Sequence, residues 1–371
     1  MKIGIDAREI EQGVSTGIGG PLNDFLRYFA RQSMEDECVL FSSRRVPVEF
    51  GPKVRNVVLD PAPTFVWDQQ CLPEAIRTHE VDVFYSPYYK IPLRASCPTV
   101  SAILDLMYLA LPYYRKRLGP WRWAYYMTMG RWFAHKADAI VTCSEHSKRD
   151  ITRFYGVAPR KIHVIPLSVD EAYRPCRIQE ARAAVRKRFD LKGPYLLYVG
   201  NFKYHKNVRR LLRVFKRVAM EFRDLSLVLA GPLRDGYEAL RTYRNELSLR
   251  EKVVFVGPVN RQEARFLYVA AEVFVMPSLY EGFGLPPVEA MACGTPVITS
   301  EVTSLPEVAG DAAVLVDPYN VDEMIEAVRR LLSDEEQRRA LREKGLARAR
   351  RFGWEQACGP LYALLREVAG K

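Results

Sequence analysis

Short apolar, β-rich runs alternate with helical stretches along this chain, and the alternation occurs twice. Runs at residues 2–5, 39–42, 81–85, 99–104 and 139–143 occupy the first half, and the pattern restarts at 195–199, 225–230, 253–256, 273–276, 296–299 and 313–316. Strands that are apolar on both faces and separated by helices are the mark of βαβ units and buried parallel sheets. A chain of 371 residues also exceeds the length over which one core keeps growing. The expectation is two α/β domains, 1–172 and 173–352, followed by an apolar-periodic helix over 353–371. Residues 169–194 contain Pro175, Pro194 and a strongly basic helical stretch at 180–189, and read as a connection rather than core. Ligands of doubly wound sheets sit beyond the carboxyl ends of the strands, so two such domains facing one another imply a ligand cleft between them.

Composition narrows the class without choosing the partner. Hydrophobic residues at 48% and charged residues at 27% describe an ordinary globular protein. The first residues pass directly into a short strand pattern interrupted by Asp6 and Arg8, unlike a signal peptide, and no apolar run reaches membrane-spanning length. Seven scattered cysteines without a Cys-x-x-Cys pair argue against a disulfide framework and fit a reducing cytoplasm. A net charge of +11 favours an anionic partner: a phosphate-bearing substrate, a lipid head group or nucleic acid. No recognised nucleic-acid-binding motif accompanies that charge.

The most informative stretch is 277–289, PSLYEGFGLPPVE, which leaves one strand run and enters a helix through Gly282, Gly284, Pro286 and Pro287. Proline suits a first helical turn, where its missing N–H has no partner, and glycine lets backbone amides approach a ligand. The amides of Gly282, Phe283, Gly284 and Leu285, at the positive end of a helix, make a seat for phosphate. Glu281 and Glu289 frame it. A carboxylate can accept hydrogen bonds from two neighbouring hydroxyls, so one of them suits a ribose and the other a transferring sugar. Alternatively, Glu289 complements the helix dipole and Glu281 is a solvated loop charge. A second loop, Gly200-Asn201-Phe202-Lys203-Tyr204-His205-Lys206-Asn207, follows the run 195–199. Lys206, with Lys203 in reserve, is placed to neutralise a diphosphate; the alternative is that these lysines only solvate the loop.

The run from Glu281 to Glu289, continuing through Gly294-Thr-Pro296, resembles the E-x7-E motif of family 4 retaining glycosyltransferases, whose architecture is GT-B. The similarity extends to 304–311, 316–318, Tyr198-Val-Gly-Asn201 and Lys206-Asn207, and weakens toward the N-terminus. It implies an α/β fold of GT-B type, two Rossmann-like doubly wound domains, with the last helix crossing back to the first. It further implies that Glu289 binds the donor ribose, Glu281 the sugar hydroxyls, and Lys206 with the loop amides the diphosphate. Many relatives carry Arg where this chain has Asn201, which shifts phosphate binding toward Lys206. In the first half, Thr16-Gly-Ile-Gly19-Gly20-Pro21 resembles the family's glycine loop lining the cleft, with a plain tight turn as the alternative. Leu104-Asp105-Leu106 stands where relatives read His-Asp-Leu; the histidine is absent, and Asp105 is either an active-site carboxylate or a helix cap. Ser144, in the next strand-end motif, reads as a cap.

From 106 to 137 there is no acidic residue, while Arg115, Lys116, Arg117, Arg122, Arg131 and Lys136 alternate with Trp121, Trp123, Trp132 and tyrosines. Such a segment suits an anionic membrane surface or a lipid-linked acceptor; the alternative is a helix packing its aromatics inward with arginines in water. No Asp-x-Asp motif is present, and the histidines show no metal-ligand spacing. The resulting expectation is a cytoplasmic, metal-independent retaining hexosyltransferase without a cofactor. Its donor would be a nucleoside diphosphate sugar, GDP-mannose foremost. Its acceptor would be a glycan or lipid-linked glycan, with peripheral membrane contact through 113–136 and no nucleic acid. A nucleotide-sugar epimerase of the same fold and a basic nucleic-acid-binding protein are the alternatives.

Overall fold

A computed structural model describes residues 1–10, 17–32, 35–47 and 49–370. They form two units, Met1–Ser168 with Trp354–Lys371, and Val169–Gly353. The first holds a parallel sheet of seven strands: β1 (Lys2–Asp6), β2 (Glu37–Ser42), β3 (Val54–Val58), β4 (Val83–Ser86), β5 (Thr99–Ala102), β6 (Ala139–Thr142) and β7 (Ile162–Val164). Their spatial order is β3-β2-β1-β4-β5-β6-β7. Ile3 pairs with Cys38 on one side and Val83 on the other, which leaves β1 central and buried on both faces. Strands β3 and β7 are additions to the sequence reading. Both lie at sheet edges, where a strand needs no continuous apolar run: β3 is half-exposed, and β7 is only three residues long.

The helix Trp354–Val368 packs in the first unit against the helix Gly19–Arg31. Phe29 meets Tyr362 edge-on at 5.6 Å, and the Arg31 guanidinium lies 4.5 Å from the Trp354 ring centre. The long helix Pro112–Lys136 is broken at Gly119, whose φ of +71° suits glycine, with Pro120 starting its second half. Phe133 and Ala134 enter the core, whereas Trp121, Tyr125 and Trp132 stay exposed. Gly19 and Gly20 form the first turn of their helix rather than a loop before it; Thr16 lies outside the described residues.

The second unit holds a six-stranded parallel sheet: β8 (Tyr195–Val199), β9 (Ser226–Ala230), β10 (Val253–Gly257), β11 (Val273–Met276), β12 (Val297–Ser300) and β13 (Val314–Val316), ordered β10-β9-β8-β11-β12-β13. The basic stretch expected to be a connection is instead a packed helix of this unit, Ile178–Phe189. Ala181 and Val185 are buried, and Arg188 pairs with Glu263 at 2.7 Å. Its cations face outward while a small-residue stripe seats it, a pattern that local charge conceals. The second unit also opens a few residues before 173, since the Val169 amide donates to the Phe352 carbonyl at 2.8 Å and Asp170 pairs with Arg261.

Candidate active site

In the second sheet the strands run, in local order, 3-2-1-4-5-6, so the chain reverses its direction of growth between β8 and β11. The loops leaving those two strands diverge to opposite faces and open a crevice at their carboxyl ends. They are the loops 200–207 and 277–284.

The first loop starts with a close backbone crossing. Gly231, at φ +156°, would place a Cβ 1.9 Å from the Gly200 carbonyl oxygen, so only glycine fits there. The chain then makes a short turn, Tyr204–Lys206, and ends at Asn207 in the left-handed region, φ +60°. The Asn207 side-chain amide donates to the carbonyls of Pro277, just past β11, at 2.9 Å and of Pro318, past β13, at 2.7 Å. The Leu279 amide donates back to the His205 carbonyl at 2.6 Å. These bonds fasten the two loops together. Lys206 Nζ consequently lies 2.7 and 2.9 Å from the two carboxylate oxygens of Glu281.

Both partners of that pair keep only 11% side-chain exposure. Burial by itself raises the Glu281 carboxyl, but the Lys206 charge and its hydrogen bonds more than offset it and hold the group below its ordinary range. Burial pushes His205 down to about 4, so its imidazole is neutral near pH 7. With two of its three N–H groups committed to Glu281, Lys206 keeps one for a ligand oxygen.

The glycine loop is braced from beneath. Thr303 Oγ1 accepts the Glu281 amide at 3.2 Å, and Ser304 Oγ donates to the carbonyls of Glu281 and Phe283 at 2.9 and 3.0 Å. Gly284 has φ +101°, and a Cβ there would meet the Leu305 side chain at 2.6 Å. Among the described residues the amides of Phe283, Gly284 and Leu285 meet no acceptor. They open the helix Leu285–Ala292, whose next residues, Pro286 and Pro287, have no N–H to compete for a ligand. Further along that helix Glu289 Oε2 accepts the Tyr268 hydroxyl at 2.8 Å. Burial raises Glu289 to about 7, against the Tyr268 hydrogen bond, the neighbouring Tyr173 phenol and the charge of Arg261.

Comparison with known proteins places the chain in a family. The family model described as "Glycosyl transferases group 1" matches residues 180–348, and "Glycosyltransferase Family 4" matches 23–173. The O-antigen chain mannosyltransferase B of Escherichia coli is 32% identical over 283 residues, covering 76% of this chain and 73% of that protein. The chain belongs to the family 4 glycosyltransferases. Another relative, an MMP alpha-(1->4)-mannosyltransferase of Mycolicibacterium hassiacum, is 32% identical over 67% of this chain and 59% of its own length. Solved structures share the GT-B fold at low identity: a sucrose-phosphate synthase from Thermosynechococcus elongatus has a TM-score of 0.81 at 20% identity, covering 100% of this chain and 99% of the other. Anabaena Alr3699/HepE in complex with UDP and glucose has a TM-score of 0.79 at 17% identity, covering 99% and 100%.

Membership in this family sets aside the epimerase alternative. Within the glycosyltransferase, Glu281, Lys206, Gly282, Phe283, Gly284, Leu285 and Glu289 gather on the crevice loops and helix of the second unit. Asn201 is turned inward: its side chain accepts the Lys203 amide at 3.2 Å, closing a local turn, and its carbonyl accepts the Tyr198 hydroxyl. Lys203 is half-buried on the same loop. In the first unit the Asp105 side chain accepts the Met107 amide at 3.0 Å, closing a turn just ahead of the helix Met107–Ala110, whose N-cap is Leu106. Ser144 caps the helix Glu145–Tyr155 through the Ser147 amide at 3.0 Å. The Leu104 carbonyl accepts the Ser147 hydroxyl at 2.8 Å. Sequence reasoning gave no role to Tyr268, Tyr173, Thr303 or Ser304, whose contacts with the site follow no local pattern. The double carbonyl bridge made by Asn207 was foreshadowed only by its place in the Lys206-Asn207 pair.

Proposed function

We propose that the enzyme moves mannose from GDP-mannose to a glycan or lipid-linked glycan acceptor, with retention at the anomeric carbon and without a metal ion. The observation that carries the donor half is the Lys206–Glu281 pair set beside the free amides of Phe283, Gly284 and Leu285. In this reading the carboxylate, kept ionised by its lysine, accepts sugar hydroxyls. The remaining Lys206 N–H and the helix-terminal amides receive the negative charge that builds on the diphosphate as the glycosidic bond breaks. Glu289 accepts the ribose hydroxyls. The relatives named as mannosyltransferases support the sugar, and the absence of an Asp-x-Asp motif in the sequence supports metal independence. A thermal-shift panel of UDP, GDP, dTDP and ADP, followed by turnover with the matching mannose and glucose donors, tests the assignment. Stabilisation and turnover confined to a donor other than GDP-mannose overturn it.

No helix among the described residues is long and apolar enough to cross a membrane. The proposed setting is the cytoplasmic face of a membrane, reached peripherally through 113–136, with no role for nucleic acid. Trp121 is 87% exposed and Trp132 45%, flanked by Arg122, Arg131 and Lys136, which joins interfacial aromatics to cations on one helix. Co-sedimentation with vesicles containing phosphatidylglycerol, lost in a Trp121→Ser/Trp132→Ser variant that keeps its thermal stability, is the expected result. Equal sedimentation of both proteins removes this surface from the reading.

A further inference from the structure

Glu289 meets two phenols that are remote from it in sequence. Tyr268, fully buried in the helix Arg261–Ala270, donates its hydroxyl to Glu289 Oε2 at 2.8 Å. Its position is itself fixed: the ring lies edge-on to Phe274 at 5.5 Å, and its carbonyl accepts the Thr295 hydroxyl at 2.7 Å. The second phenol is Tyr173, whose presence beside the same carboxylate favours its charged form and whose ring meets that of Tyr268 edge-on at 5.9 Å. Tyr173 belongs to the short segment that opens this unit. There the Asp170 carboxylate accepts the Ala172 amide at 2.8 Å and pairs with Arg261, and the Tyr173 amide donates to the Asp170 carbonyl at 2.9 Å. The helix that carries Tyr268 therefore also anchors, through Arg261, the segment that carries Tyr173.

We infer that Tyr268 and Tyr173 are positioning residues for nucleotide binding. They fix the rotamer of Glu289 and stabilise its carboxylate form, leaving its other lone pairs to the vicinal hydroxyls of a ribonucleoside diphosphate. The inference rests on the reading of Glu289 as the ribose-binding carboxylate. Its physical content is a competition. A carboxylate removed from water favours its neutral form, which is a poorer acceptor for a diol, and the Tyr268 hydrogen bond with the neighbouring Tyr173 phenol counters this by favouring the charged form. Phenols suit the task because a lysine or arginine would neutralise the group in an ion pair and occupy it. The groups that face Glu289 are Tyr268 and Arg261 on one helix, Tyr173 and Asp170 on the opening segment, and Cys293 past the end of its own helix. Of these, Arg261 favours the charged form while Asp170 opposes it, and the two are paired with each other.

The direction of the pH effect follows. Burial raises Glu289 to about 7 in the folded protein, so nucleotide affinity is complete above that value and declines as pH falls through it. Removing a phenolic donor removes a force that lowers the value, and the midpoint of the decline moves to higher pH.

Calorimetric titration of the full chain with GDP, and with UDP in parallel, from about pH 5.5 to about pH 9 tests this. Tyr268→Phe and Tyr173→Phe are each expected to weaken nucleotide binding about tenfold at pH 7, with an alkaline shift of the midpoint and partial recovery at the upper end. Glu289→Gln is expected to bind weakly at every pH. Tyr173 is half-buried and carries the test should Tyr268→Phe fail to fold. If Glu289→Gln weakens binding while the folded phenylalanine variants keep the parental midpoint, the tyrosines are packing residues and the inference fails. If Glu289→Gln binds like the parent, or neither nucleotide binds the parent, the ribose reading itself is wrong.

Discussion

Replacing Lys206 by alanine removes one partner of an ion pair whose members are nine-tenths buried, and its consequences for stability and catalysis can be separated. In the parent the lysine offsets the cost of desolvating Glu281. Without it the carboxylate is left buried and unpaired, a change that costs about 3–5 kcal/mol when a buried pair loses one member. For a unit of this size that corresponds to a drop in Tm on the order of 10 °C. The loss depends on pH with a definite sign. In the parent the Glu281 pKa is depressed below its ordinary value of 4.5, so its contribution is present above that value and is lost as pH falls through the depressed one. In Lys206→Ala burial prevails, the pKa is raised, and the folded state must hold an unwelcome charge at neutral pH. The gap in Tm between parent and variant is therefore largest near neutrality and narrows toward about pH 4.5. Turnover is expected to fall on the order of a hundredfold, the effect of removing one preorganised donor from a site of developing charge, and kcat falls as well as kcat/KM. Lys203→Ala controls for the loss of one positive charge, because Lys203 has no bond to Glu281. Scanning calorimetry across pH and initial rates on saturating donor measure both effects. A Tm gap that does not change with pH refutes the buried-pair argument. Equal, small effects of the two alanine variants on kcat remove Lys206 from the chemistry and leave the diphosphate to the backbone amides.

Other substitutions probe the frame around this pair. Gly284→Ala is expected to cost about 1–3 kcal/mol from its positive φ alone, with further loss from the Leu305 contact, and to abolish nucleotide binding by displacing the amides of the loop; a thermal-shift assay with and without nucleotide reads both. Asn207→Ala leaves the carbonyls of Pro277 and Pro318 without their donor, which should lower stability by about 2–3 kcal/mol and reduce turnover by loosening Lys206 from Glu281. Chemical denaturation with an unchanged midpoint contradicts that account. Excess EDTA should leave the initial rate unchanged; abolition by the chelator with rescue by magnesium or manganese contradicts metal independence.

Much of the second unit is legible in the sequence because its determinants are local. A strand buried on both faces announces itself as a continuous apolar run, as in 227–230 and 273–276. A strand-to-helix turn built on Gly282, Gly284, Pro286 and Pro287 needs those residue types wherever the rest of the chain goes, because positive φ and a missing N–H are properties of single residues. The same locality made Ser144 readable as a cap. What the tertiary structure decided are pairings between distant residues. Lys206 and Glu281 are 75 positions apart and Tyr268 and Glu289 21 apart, separations at which no periodicity specifies a partner. Edge strands β3 and β7 depend on a neighbour to complete them, so their short or half-polar sequences carry little signal. The helix Ile178–Phe189 hides its small buried stripe under arginines, and only the helix Arg261–Ala270 against it shows which face matters. Local backbone chemistry thus specified the loop proposed to seat a diphosphate, while the fold alone determined which buried charges and hydroxyls meet around it, because hydrogen bonding and desolvation depend on proximity in space rather than along the chain.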